Sequence, residues 1–77
     1  MNDNFNRQLE RSGLSMYALA KRASVPYTTV NEIRNGKIDI NQCAAATVCR
    51  LGDALGSDPR ELMNEMRERG GAGGQGS

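Results

Sequence analysis

Helix-stopping and helix-starting signals follow one another closely along this chain, so it can be built only from short helices packed against one another. Gly13 suits the left-handed backbone that ends a helix, and Ser15 can cap the next one. Ser24-Val25 then breaks the pattern, and Pro26 fits a first helical turn, where its missing N–H is not needed. Asn35-Gly36 and Gly56 close two further stretches. Asp58-Pro59-Arg60-Glu61 reads as a capping box, with an acceptor at the cap and Glu three residues on.

Between these marks the spacing predicts five helices: Asn4 to Arg11, Met16 to Ala23, Pro26 to Asn35, Ala44 to Leu55, and Asp58 to about Arg69. Phe5 and Leu9 share a face of the first, and Leu14 enters the core behind it. Leu19 and Ala20 point inward from the second. Val48, Leu51 and Leu55 form the stripe of the fourth, and Lys37 to Cys43 is a loop. No strand pattern or repeat occurs, so the expected class is all-α with five helices. Residues 1–69 form one domain in this reading, and the Gly-rich 70–77 a disordered tail with nothing to bury.

With 77 residues the core is thin. No apolar run nears the ~20 residues of a membrane span, and Met-Asn-Asp-Asn lacks the basic and apolar regions of a secretory signal. A cytoplasmic protein without membrane contact is expected. The chain has no histidine, its two cysteines (Cys43 and Cys49) have no evident base, and no Gly-rich phosphate loop follows a strand. Neither catalysis nor a bound cofactor or metal is expected. The thiols read as free, small packing or surface groups, with redox sensing or a disulfide as alternatives.

Charge is unevenly spread although the net value is only +1. Residues 15–37 carry Lys21, Arg22, Arg34 and Lys37 against Glu32 alone, whereas residues 38–69 carry six acids against four arginines. One part of the surface can therefore face phosphate while the rest faces elsewhere.

The segment Ser15 to Lys37 carries the most information. Ala20 is small where two helices would cross, Val25 plugs the turn, and Val30 with Ile33 anchors the second helix. At about 100° per residue, Thr29, Val30 and Ile33 fall on one side of that helix, and Tyr27, Thr28, Asn31, Glu32 and Asn35 on the other. The second side is short, polar and able both to donate and to accept, which matches the edges of bases in a major groove. Asn31 can pair bidentately with adenine, Thr28 can hydrogen-bond or touch a thymine methyl, Tyr27 can meet a base edge or a phosphate, and Glu32 can accept from cytosine.

These residues resemble the XRE family, the helix-turn-helix class of the lambda and 434 phage repressors and Cro proteins. The likeness rests on Ser15, Leu19-Ala20, Val25, Thr29-Val30 and Asn35-Gly36-Lys37, then Thr47-Val48 to Ala54-Leu55-Gly56 and Asp58 to Leu62, and covers residues 5 to about 66. It implies a five-helix, lambda-repressor-like domain with its helix-turn-helix at helices two and three. It also implies base reading by Tyr27, Thr28, Asn31 and Glu32, with Asn35 and Lys37 on the DNA backbone. Ser15 and Arg34 join the phosphate-contacting set.

Three departures from the family pattern stand out. Met16 replaces a phosphate-binding Gln, Ser24 stands where Gly often takes a left-handed turn, and Arg34 replaces a frequent Glu. The loop after Lys37 holds no arginine for the minor groove.

The expected function is sequence-specific DNA binding as a transcriptional repressor or autoregulator, the partners being double-stranded DNA and a second copy of the chain. Leu62, Met63 and Met66 form an apolar strip on the fifth helix that fits either a two-fold dimer contact or packing against helix one or four. Two other readings are an antitoxin that also binds a toxin protein, and a helical protein-interaction module that does not bind DNA.

Overall fold

A computed structural model describes residues 2–64. Among these the chain is all-helical, with four α-helices and no strand: α1 Asp3–Ser12, α2 Met16–Ala23, α3 Tyr27–Arg34 and α4 Ala45–Leu55. Single 3₁₀ turns at Ile40–Gln42 and Pro59–Glu61 complete it. Among the described residues no helix is long and apolar enough to cross a membrane.

The expected boundaries hold to within a residue or so because the capping chemistry is local. Ser15 Oγ accepts the Ala18 N–H at 3.0 Å, and Gly13, Gly36 and Gly56 all adopt positive φ. Ser24 takes the left-handed turn at φ 57°, and behind it the Val25 N–H reaches the Ala20 carbonyl at 3.0 Å. That bond tucks Val25 into the core and lets α3 start at once.

The core is built from the expected faces and from positions outside them, Ala23 and Ile40 among them. Phe5, Leu9, Leu19, Ala20, Val25, Val30, Ile33, Val48 and Leu51 are all buried. Leu55 is only half-buried and packs at the edge. Gly52 is buried, and its missing side chain admits the following turn: a Cβ there would stand 2.8 Å from the Ser57 carbonyl oxygen. Ile40, in the segment read as a loop, is fully buried.

The start of the expected fifth helix is corrected. The capping box is present, with Asp58 accepting from the Arg60 N–H at 2.8 Å and Glu61 accepting from the Asp58 N–H at 3.2 Å. It opens one 3₁₀ turn and not an α-helix within the described residues, because the Asn64 N–H turns to Asn41 Oδ1 at 2.7 Å instead of to a carbonyl of the preceding turn. The remainder of the expected helix, Met66 included, and the expected tail at 70–77 lie outside the described residues.

Of the two readings of Leu62, a dimer contact or packing within the monomer, the structure shows the packing. Leu62 is 0 % exposed and belongs to the monomer's own core, so it offers nothing to a second copy. Met63 is half-buried at the core's edge.

An asparagine at the start of the chain closes the fold. Asn2 is 1 % exposed; its amide donates to the carbonyls of Ile33 at 2.7 Å and Ile38 at 2.8 Å, and its oxygen accepts from the Ile40 N–H and from Asn64 Nδ2, each at 3.0 Å. All four hydrogen-bonding positions of this buried amide are thus used. Asn64 Nδ2 also donates to Asp39, and Asn41 Nδ2 donates to the Asn64 carbonyl at 3.0 Å. This polar network ties α1, the end of α3, the loop after it and the last described residues into one body.

Candidate nucleic-acid interface

The side of α3 opposite the core is the most distinctive polar surface. Val30 and Ile33 are sealed inside and Thr29 is half-buried. Thr28 and Asn35 are exposed, while Asn31 and Glu32 are half-buried on the flank between. The helix thus brings Tyr27, Thr28, Asn31 and Asn35 together on the face that the sequence predicts.

Two of these side chains are pre-set against each other. Asn35 Nδ2 donates to Asn31 Oδ1 at 2.9 Å, one turn apart on the helix. The bond leaves Asn31 Nδ2 to donate and one Oδ1 lone pair to accept, which is the pattern that pairs with adenine N7 and N6. Holding the amide before any ligand arrives lowers the entropy lost on binding.

The far end of α3 is fixed from both sides. The Lys37 N–H bonds the Glu32 carbonyl at 2.8 Å and the Gly36 N–H bonds that of Ile33 at 3.1 Å. Asn2 adds its own bond to the Ile33 carbonyl. Arg34 and Lys37 are exposed at this end and can meet phosphate.

At the other edge, Ser15 is exposed and its oxygen is engaged by the α2 N-terminus. The hydroxyl hydrogen stays available to a phosphate oxygen, beside backbone N–H groups at the helix start. Met16 does not stand in for a Gln clamp; it packs against the core.

Sequence reasoning singled out Tyr27 but passed over the second aromatic residue of this surface, Tyr17. Tyr17 on α2 is 63 % exposed and Tyr27 on α3 is 45 % exposed, with ring centroids 6.5 Å apart at an interplanar angle of 53°. Lys21 Nζ sits 5.7 Å from the centre of the Tyr17 ring. Tyr17 lies on the outer face of α2, which the inward pattern of Leu19 and Ala20 could have flagged.

The cysteines lie elsewhere. Both are free, and both line a groove of about 300 Å³ that runs past Val48 and Met63. Burial, with the Asp39 carboxylate adding to it, raises the Cys43 thiol above its ordinary pKa, which keeps it protonated and a poor nucleophile. Among the described residues no cluster of three or more Cys, Asp or Glu could hold a metal ion.

No family model, no curated protein and no solved structure matches the chain.

Proposed function

We propose that the chain is a sequence-specific DNA-binding transcriptional regulator, a repressor or autoregulator of the XRE type, that reads the major groove with α3. The observation that carries this reading is the outward face of that helix, where Thr28, Asn31 and Asn35 stand clear of the core and Asn31 is held by Asn35 at 2.9 Å. Thr28 and Asn31 read bases in this account, with Tyr27 and Glu32 beside them. Ser15, Arg34, Asn35 and Lys37 hold the backbone.

Local charge supports the assignment more than the net value does. Four basic residues against one acid lie between residues 15 and 37, so phosphate attraction is concentrated where the polar face is. Two copies on a two-fold axis would set their α3 helices about 34 Å apart, one DNA turn. With Leu62 inside the core, such pairing rests on Met63 and Met66.

Selection of bound duplexes from a random pool, followed by competition at two salt concentrations, tests the function. The expected result is one enriched half-site, repeated as a palindrome if the protein pairs, and an affinity that falls as salt rises. Equal competition by random DNA would remove the reading in favour of a helical protein-interaction module.

A further inference from the structure

The tyrosine pair, Tyr17 in the first turn of α2 and Tyr27 at the start of α3, has no structural task that explains it. Two large rings lie exposed side by side, and neither belongs to the core cluster. Exposed aromatic patches on a small protein mark contact surfaces more often than chance placement. The rings border an open concavity of about 390 Å³, floored by Ala20 and the Ser24–Pro26 turn, and none of the residues lining it is acidic. Lys21 belongs to that lining and caps the Tyr17 ring, and Arg22 follows it, exposed. The chemistry is apolar faces, a phenol donor and fixed positive charge. A polyanion with apolar groups near its backbone fits it.

We propose that Tyr17 is a DNA-contacting residue, extending the interface from α3 onto α2. This rests on the duplex-binding reading above. The Tyr17 hydroxyl donates to a phosphate oxygen at the edge of the groove, and the Lys21 ammonium supplies the counter-charge. The paired rings of Tyr17 and Tyr27 present an apolar face to a thymine methyl next to the bases read by Thr28. Because the rings already stand 6.5 Å apart with Lys21 over one of them, little side-chain order remains to be gained on binding. Tyr17 would thereby add a position to the recognised sequence beyond those reached by α3.

The test uses the full chain and the duplex that it selects, with Tyr17→Ala, Tyr17→Phe and Asn31→Ala variants. The duplex is also made with each thymine in turn replaced by deoxyuridine, which lacks only the methyl group. Thermal melting checks folding, which these exposed substitutions should leave intact. Tyr17→Ala should weaken binding about tenfold and abolish the penalty for deoxyuridine at one position. Tyr17→Phe should weaken binding less and keep that penalty.

If Tyr17→Ala binds like the wild type while Asn31→Ala loses selectivity, the inference is overturned and the duplex reading stands. If the wild type prefers no duplex, both fall. If Tyr17→Ala leaves DNA affinity unchanged but lowers the sedimenting mass, the rings are a contact between copies and the proposal fails.

Discussion

The Asn2 amide donates to the carbonyl of Ile33 at 2.7 Å across 31 positions of sequence, joining the start of the chain to the last turn of α3. The same amide reaches Ile38 and Ile40. One side chain thereby fixes both how α3 ends and how the chain leaves it, and the face carrying Asn31 and Asn35 inherits that rigidity. Asparagine also suits the site because Asn2 has φ 59°, a conformation that it tolerates better than most residues.

Asn2→Ala should destabilise the fold by about 3 kcal/mol, since two carbonyls and an N–H lose a buried partner and alanine adds left-handed strain. Urea unfolding followed by circular dichroism measures it. Asn2→Asp should cost more, because a carboxylate oxygen would face the carbonyls of Ile33 and Ile38. A midpoint unchanged in both variants would show that the Asn2 bonds do not hold the fold.

Two backbone positions should respond in opposite directions. Ser24→Gly should stabilise by about 0.5–1 kcal/mol, because φ 57° strains any residue with a Cβ. Gly52→Ala should destabilise by about 1–3 kcal/mol, the new methyl meeting the Ser57 carbonyl oxygen at 2.8 Å and the Pro59 nitrogen at 3.3 Å. Paired thermal melts of the two variants check both signs.

What could be read from sequence, and what could not, divides by range. The Ser15 cap, the Ser24 turn, the burial of Val25 and the outward set on α3 all depend on residues within a few positions of one another, and local spacing suffices for them. Asn2, Ile40 and Gly52 depend on partners brought near only by the finished fold. Nothing adjacent to Asn2 marks it as more than an ordinary terminal asparagine. The start of the fifth helix differs from expectation for the same reason: Asp58 and Glu61 form the expected box, but within the described residues it opens a single 3₁₀ turn, and Asn41, 23 residues from Asn64, claims the N–H there.

The Asp58 cap predicts a pH dependence. The Arg60 backbone N–H, and then the Arg60 side chain, hold the Asp58 carboxyl below its ordinary pKa. A group whose folded pKa is depressed contributes stability that is present above the unfolded value and lost as pH falls through the folded one. Asp58→Ala should therefore melt below the wild type at neutral pH, and the gap should close in acid below the usual carboxylate range. A gap independent of pH would mean that the carboxylate charge plays no part in the cap.

The central claim is that Asn31, held by Asn35, reads a base, and comparing Asn31→Ala with Lys37→Ala on a selected duplex and on a mismatched one tests it most directly. Asn31→Ala should collapse the preference between the two duplexes by about 5- to 100-fold. Lys37→Ala should weaken both alike and reduce the salt slope by about one. An Asn31→Ala protein that still distinguishes the duplexes as the wild type does would contradict the account.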